Sequence, residues 1–96
     1  MRFSWSPAKA SKSYKAHHIH FIDAITIFND LTRYEEQDEK HSISEERFKT
    51  IGMAVVDGEP VVITVAYTVQ DDGEIPVIRI ITAWKATAEE VKKNKQ

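Results

Sequence analysis

The feature that most constrains the fold is a pair of long β-branched segments separated by a tight-turn signal. Residues 61–69 read VVITVAYTV, a nearly continuous apolar run that is typical of a strand with both faces buried. A strand is also predicted at 47–56, and DGEP at 57–60 joins the two, because an Asp-Gly pair accepts the positive φ that hairpin turns need. A turn at 70–75 and a third strand at 76–83 complete a predicted antiparallel meander.

Helical patterns flank the meander on both sides. Ser6 followed by Pro7 is a favourable helix start, so the first helix is predicted over residues 7–16. The second is predicted over residues 20–30, where one apolar stripe has helical spacing. The members of this stripe are Phe21, Ala24, Ile25, Phe28 and Leu31. A final helix is predicted from Trp84 or Lys85 to Gln96.

Two short segments complete the predicted order of elements. RFSWS at 2–6 alternates like a strand, and LTRYEE at 31–36 is a candidate for another short one. With RFSWS counted and LTRYEE left out, the resulting order is β-α-α-β-β-β-α, with two helices before the meander and one after it. This order predicts an α+β fold.

Composition excludes several classes of protein. The content of 42% hydrophobic and 29% charged residues is that of a soluble globular protein, and residues 1–96 suit one domain. The absence of cysteine excludes disulfides and thiolate chemistry. No apolar run reaches the roughly 20 residues that span a bilayer, and the N-terminus lacks the apolar region of a signal peptide. We therefore expect a cytoplasmic protein without a membrane partner.

Charge is unevenly distributed along the chain. The first 22 residues carry four bases and no acid, whereas residues 23–46 carry eight acids and two bases. The segment from Lys85 onward is basic again. Basic ends can contact nucleic-acid phosphates, so Lys9, Lys12 and Lys85 are candidate RNA contacts. An ordinary asymmetric surface is the alternative.

Three of the four histidines lie in the segment KAHHIHF at 15–21. A metal site is not expected, because His17 and His18 are adjacent and point about 100° apart on a helix, and no cysteine is available. A histidine near a helix end also suits the negative end of the helix dipole. The remaining interpretation is that His17 transfers protons or contacts phosphate.

Charged residues on the predicted strands add candidates for phosphate chemistry. On a strand, Glu45 and Arg47 would project from the same face, as a proton shuttle beside a phosphate-binding guanidinium; a solvated ion pair is the alternative. Arg79 interrupts the apolar run VIRII, and a charge in such a strand is either paired or functional. A histidine, a glutamate and two arginines are the side-chain types that metal-free RNA cleavage requires.

Several motifs follow one another in the order and spacing of one family. They are F-x-W-x-P-x-K from Phe3 to Lys9, H-x-I-x-F-x-x-A from His17 to Ala24, D-x-x-H-S-x-x-E-E-R-F-x-x-I-G from Asp38 to Gly52, and R-I-I-T-A from Arg79 to Ala83. With these motifs the chain resembles the BrnT family over roughly residues 3–87, and the last two motifs together are specific.

The resemblance implies a RelE/ParE-like α+β fold with an antiparallel sheet, and a metal-independent RNA endonuclease that inhibits translation. It also implies a type II toxin that is neutralised by a BrnA-like ribbon-helix-helix antitoxin, whose complex with the toxin binds operator DNA. The candidate catalytic residues are His17, Glu45, Arg47, Arg79 and Lys15. Neither a cofactor nor a metal is expected.

The sequence departs from the family pattern at several polar positions, including Thr82, where the family usually has serine and the hydroxyl is kept. The family usually has asparagine at Ser13, lysine at Ala16 and arginine at Trp84. Lys15 and Lys85 each stand one residue from a lost cation, but one step turns a side chain by about 100° on a helix and reverses its face on a strand. The alternative function is therefore a catalytically weakened relative that acts mainly by binding its antitoxin in promoter autorepression.

Overall fold

The computed structural model describes residues 1–71, 73 and 75–95. Its strands are β1 (Arg2–Trp5), β2 (Tyr34–Gln37), β3 (Arg47–Val56), β4 (Glu59–Asp71) and β5 (Pro76–Lys85). Its α-helices are α1 (Pro7–His17), α2 (Phe21–Ala24) and α3 (Ala88–Asn94), and two 3₁₀ segments span Ile25–Asn29 and Glu39–His41. The strands form a sheet in the order β1-β5-β4-β3-β2. The predicted α+β class is confirmed.

The central hairpin follows the turn and strand patterns of the sequence. β3 has the predicted bounds, and the turn uses Asp57 and Gly58, whose φ angles are 52° and 81°. Because both central residues have positive φ, the turn matches the twist of its strands, and β4 begins at Glu59 instead of residue 61. The second predicted turn includes Asp72 and Glu74, which lie outside the described residues.

The prediction of a fully antiparallel sheet is wrong at one edge. β1 pairs with β5 in the parallel direction, whereas the other three pairings are antiparallel. In this position Phe3 packs 5.2 Å from the ring of Phe28, and Trp5 packs 5.9 Å from the ring of Phe21. These aromatic contacts stabilise β1 at the edge of the sheet beside β5. β2 at the opposite edge corresponds to the LTRYEE candidate, and the RelE-like topology stays a prediction.

One face of the sheet, which we call the covered face, packs against the N-terminal helical segments. Its strand residues are Ile63, Val65, Tyr67, Ile78 and Ile80, and the residues packed on it include Phe21, Ala24, Ile27 and Phe28. Burying one such aliphatic side chain completely is worth about 1.5–3 kcal/mol. This face is the hydrophobic core of the described residues.

The predicted second helix is shorter and changes its geometry. It is α-helical only over Phe21–Ala24 and then becomes a 3₁₀ segment. The Thr26 hydroxyl donates to the Asp23 carbonyl at 2.7 Å, a side-chain bond that competes with regular helix. The changed pitch buries Ile27 completely and leaves Leu31 93% exposed, so the predicted core position of Leu31 is wrong.

The C-terminal helix begins later than predicted. Trp84 and Lys85 remain in β5, and α3 starts after Thr87, which forms a capping box with Glu90. The helix packs against β3, and Lys93 contacts the carboxylate of Glu36 on β2 at 3.2 Å. None of the helices in the described ranges is long and apolar enough to cross a membrane.

Candidate functional site

A row of polar side chains crosses the face of the sheet opposite the covered face. Arg47 is paired with Thr68, Thr68 with Arg79, and Arg79 with Ser4. Paired residues on neighbouring strands share a face, and the strands are about 5 Å apart. The two arginines are therefore carried by strands about 10 Å apart, with Thr68 between them. We call these four residues the arginine row, and their side of the sheet, which α3 covers only in part, the open face.

The arginine row contains polar atoms that lack partners. Ser4 Oγ, Arg47 Nε and Thr68 Oγ1 are buried and have no hydrogen-bond partner within residues 1–71, 73 and 75–95. Among the residues that the structure describes, Arg79 has no acidic partner within ion-pair distance, although it is half-buried. An unsatisfied buried polar group costs roughly 1–3 kcal/mol, so a row of them in a native fold calls for an explanation. A bound anionic ligand is the explanation that its chemistry suggests.

A bulge in β5 determines what else lies on the open face. Ala66 pairs with Thr82 but Tyr67 pairs with Ile80, so Ile81 is an extra residue without a partner on β4. Under strict alternation Thr82 would lie on the face opposite Arg79. The bulge reverses this, because bulges shift the alternation by one residue. Thr82 and the following Trp84 therefore share the open face with Arg79.

The bulge also brings the end of α1 to this face. Beyond the end of β1, the Ser13 hydroxyl accepts the Ala83 N–H at 3.2 Å and lies 3.0 Å from Thr82 Oγ1. Ser13 thus provides a hydrogen-bond acceptor for the Ala83 N–H, where β5 extends beyond β1. One turn further along the helix, the His17 ring lies 6.2 Å from the ring of Trp84.

A surface cavity of about 260 Å³ lies between α1 and β5. It is lined by His17 and Thr82, and by the predicted RNA contacts Lys9 and Lys12. Ala16 also faces it, at the position where the family pattern has a lysine. The structure therefore brings together one histidine and two lysines beside the part of β5 that follows Arg79.

Two predicted cations lie elsewhere. Lys15 lines a different cavity, on the side of α1 that carries Tyr14 and His20. Lys85 is exposed and pairs with Ile63, which places it on the side of the covered face. Neither lysine therefore faces the cavity that Ala16 and His17 line. This agrees with the sequence, because one step along a helix or a strand turns a side chain away from its neighbour's direction.

The histidine cluster is divided between two environments. His17 faces Trp84, whereas the His20 ring stacks on Tyr14 at 4.0 Å and the His18 ring meets Tyr14 edge-on at 5.8 Å. Within residues 1–71, 73 and 75–95, no group of three His, Asp or Glu side chains could hold a metal ion.

The predicted strand arrangement of Glu45 and Arg47 is wrong. β3 begins at Arg47, and Glu45 is an exposed residue of the preceding bend. The alternation of a strand therefore does not apply between them. The reason is the loop itself: the Ser42 hydroxyl accepts the Arg47 N–H at 2.9 Å and donates to the Asp38 carbonyl at 2.7 Å, which closes residues 38–47 as a compact loop.

The same loop holds a residue pair that sequence reasoning missed. His41 Nδ1 lies 2.9 Å from an Asp38 carboxylate oxygen, and the Asp38 N–H donates to the Arg47 carbonyl at 2.7 Å. The backbone of Asp38 is therefore bonded to the first residue of β3, Arg47. The signal was present in the sequence as the D-x-x-H spacing, in which the two side chains are three residues apart.

Aromatic residues near the site have structural contacts. Trp84 donates its indole N–H to Glu90 at 3.0 Å. Burial of Glu90 opposes its ionisation, but hydrogen bonds from the Thr87 backbone and from Trp84 outweigh this and lower the pKa of Glu90. Tyr67 packs in the core against Phe28 and Phe48, and burial raises the pKa of its hydroxyl. Tyr67 is thus a core aromatic.

The fold and the site together define a small α+β protein that carries two guanidinium groups, without acidic partners among its described residues, on one face of its sheet. The sequence matches the family described as ribonuclease toxin, BrnT, of type II toxin-antitoxin system, over residues 5–90. The match includes three of the four residues of the arginine row, since only Ser4 precedes it. The chain belongs to this family. Among curated proteins, no match to the chain is found. Membership of the family indicates ribonuclease activity, with RNA as the substrate and an antitoxin as the partner.

Proposed function

We propose that this chain is a metal-independent RNA endonuclease that cleaves its substrate on the open face. Arg47 and Arg79 bind the scissile phosphate, and His17 transfers a proton to or from the reacting oxygens. Lys9 and Lys12 contact neighbouring phosphates of the RNA. Cleavage of messenger RNA inhibits translation until the antitoxin binds.

The observation that carries this proposal is the arginine row. Its guanidinium groups lack acidic partners in the described residues, and the buried hydroxyl of Thr68 between them has no hydrogen-bond partner. A phosphate would pair with the two guanidinium groups, because guanidinium groups bind phosphate oxygens through paired hydrogen bonds. In the transition state the same groups would stabilise the additional negative charge on phosphorus.

The proposed site omits two of the residues predicted from sequence. Glu45 lies on the exposed bend before β3, and Lys15 lines a cavity on the other side of α1. Lys85 is likewise left out of the RNA contacts, because it lies on the side of the covered face.

The test is cleavage of RNA by purified protein in EDTA. Arg79→Ala is expected to lower the rate by about 100-fold or more, since removal of one group that stabilises transition-state charge has an effect of that size. Lys95→Ala is the matched control, because this exposed lysine lies beyond α3 and its loss should leave the rate unchanged. Cleavage that EDTA abolishes, or that Arg79→Ala does not lower, would refute the proposal.

A second candidate is a weakened toxin whose main role is to bind its antitoxin and repress a promoter. The observation that favours it is the cavity beside His17, where Ala16 and the neighbouring Trp84 stand in place of two cations of the family pattern. The double variant Ala16→Lys with Trp84→Arg should then increase toxicity on induction without antitoxin. A folded double variant no more toxic than the parent would contradict the weakened-enzyme candidate.

We also propose that the antitoxin is a BrnA-like ribbon-helix-helix protein, that the complex binds operator DNA, and that the toxin fold is RelE-like. The support is the resemblance of the motifs from Asp38 to Gly52 and from Arg79 to Ala83. A small ribbon-helix-helix gene directly downstream is the simplest check. A mobility-shift experiment with the promoter and the purified complex tests DNA binding, and no shift with the complex would contradict it.

A further inference from the structure

We infer that His41, oriented by Asp38, is the general base of the cleavage reaction and accepts the proton of the RNA 2′-hydroxyl. The inference rests on the proposed function and completes it, because metal-free cleavage needs one group to accept a proton and another to donate one. With Glu45 on an exposed bend, the proposed site has His17 alone for both tasks.

The geometry of the pair suits a base. His41 Nδ1 lies 2.9 Å from Asp38 Oδ2; the Asp38 side chain is 10% exposed, whereas the His41 side chain is 56% exposed. A carboxylate that accepts the Nδ1 proton fixes the tautomer in which Nε2 is unprotonated. Nε2 is then the free nitrogen of an accessible ring, which is the arrangement of the histidine and aspartate in the serine-protease triad.

The position of the pair connects it to the phosphate-binding groups. The Asp38 N–H donates to the Arg47 carbonyl at 2.7 Å, one step beyond the pairing of Gln37 with Phe48. Asp38 therefore continues the arginine row onto the end of β2. The inference places the His41 ring within reach of a phosphate that Arg47 holds.

The pair is not needed to hold the loop together. The loop is closed by the Asp38 backbone on Arg47 and by the Ser42 hydroxyl, which bonds the Asp38 carbonyl and the Arg47 N–H. An ion pair with a largely exposed imidazole adds little to stability, typically about 0–1 kcal/mol. Stability alone therefore gives a weak reason for a nearly buried carboxylate that is directed at His41.

The step balances as an internal transesterification. His41 Nε2 takes the proton of the 2′-hydroxyl, the 2′-oxygen forms a bond to phosphorus, and the bond from phosphorus to the 5′-oxygen breaks. The departing 5′-oxygen takes a proton from His17. The products are a 2′,3′-cyclic phosphate and a 5′-hydroxyl. Attack and departure occur on opposite sides of phosphorus, so the inference requires His41 and His17 to act from opposite sides of the bound phosphate.

The test compares His41→Gly, Asp38→Asn and His20→Ala in cleavage of a short RNA whose cut position has been mapped. His41→Gly is expected to lower kcat by about 100-fold or more, the usual contribution of general acid–base catalysis. Added imidazole should restore part of this activity, because it can occupy the space of the missing ring. Asp38→Asn should lower kcat and leave KM unchanged, since Asp38 is a positioning residue and does not touch the RNA.

The control and the possible outcomes separate this inference from the proposed function. His20→Ala removes an imidazole that stacks on Tyr14, away from the arginine row, and should cleave like the parent. If Arg79→Ala abolishes cleavage while His41→Gly does not lower it, the inference fails and the proposed function stands. A loss in His41→Gly that imidazole does not restore, in a variant with the parental unfolding temperature, would also overturn it. No loss in Arg79→Ala would overturn the proposed function itself.

Discussion

The covered face and the open face of the sheet differ in how they treat buried polar atoms. On the covered face the fully buried Thr50 donates its hydroxyl to the Tyr34 carbonyl at 3.3 Å. On the open face Thr68 is just as buried, yet its hydroxyl has no partner. Both threonines are completely buried, so the difference between them is not one of burial.

This difference separates the residues that stabilise the fold from those that we propose bind the substrate. The covered face combines aliphatic and aromatic side chains with satisfied hydrogen bonds, as a stable core requires. On the open face, Arg47 Nε and the hydroxyls of Ser4 and Thr68 have no hydrogen-bond partner among the described residues, which costs free energy. Proteins commonly violate the rules of stability at functional sites, which is consistent with the proposed role of the arginine row.

The largest effect on stability is expected from a cavity in the covered face. Ile80→Ala removes a fully buried side chain and should lower the free energy of unfolding by about 2–5 kcal/mol. Chemical denaturation measures the change. Ile43→Ala is the matched control, because Ile43 is 92% exposed and its loss should change stability by less than about 0.5 kcal/mol. Equal effects of the two substitutions would contradict the assignment of the core.

A smaller effect of opposite sign distinguishes the two buried threonines. Thr68→Val replaces an unpaired hydroxyl with a methyl group and should raise the free energy of unfolding by about 1 kcal/mol, because the cost of an unsatisfied polar atom disappears. Thr50→Val should lower it by about 1 kcal/mol, because it leaves the Tyr34 carbonyl without this donor. The same denaturation experiment measures both. Destabilisation by Thr68→Val as large as that by Thr50→Val would remove the contrast between the faces.

The smallest effect is expected at Asp30, at the edge of the covered face. The Met53 N–H and the Thr32 side chain donate to its carboxylate and lower its pKa below the ordinary 3.8. The folded state therefore binds this proton more weakly than the unfolded state. The resulting stability is complete above about pH 5 and is lost as the pH falls through the folded pKa.

Asp30→Asn tests this dependence. At pH 7 the variant should be less stable than the parent, and the difference should shrink steadily as the pH falls below 3.8. Unfolding curves collected from pH 7 to pH 2.5 measure the difference. A gap between parent and variant that is constant over this range would show that the ionised carboxylate does not contribute.

Gly52 lies where the backbone of β3 passes close to Asp30 and Arg33. A Cβ at this position would lie 2.9 Å from Arg33 Cβ and 2.9 Å from Asp30 Oδ2. The backbone of β3 thus approaches the Asp30 turn too closely for a side chain. A substitution of Gly52 would disturb the hydrogen bond from Met53 to Asp30 and would not isolate the charge.

Local chemistry was sufficient to predict much of the fold. The bounds of β3, the positive φ angles at Asp57 and Gly58 and the helix start at Ser6 and Pro7 depend on neighbouring residues, and the sequence alone determined them. The candidates Arg47, Arg79 and His17 were also identified from sequence, because charges in apolar strands and histidines at helix ends are visible there. Their roles stay predictions.

Only the tertiary structure decided which of these residues face one another. The parallel pairing of β1, the bulge at Ile81 and the closure of the loop on Arg47 each join parts of the chain that are distant or irregular. The bulge is the decisive case, because one unpaired residue reverses the face of everything that follows it on a strand. Alternation in the sequence separates Arg79 from Thr82 and Trp84, and the register of β5 against β4 places them together.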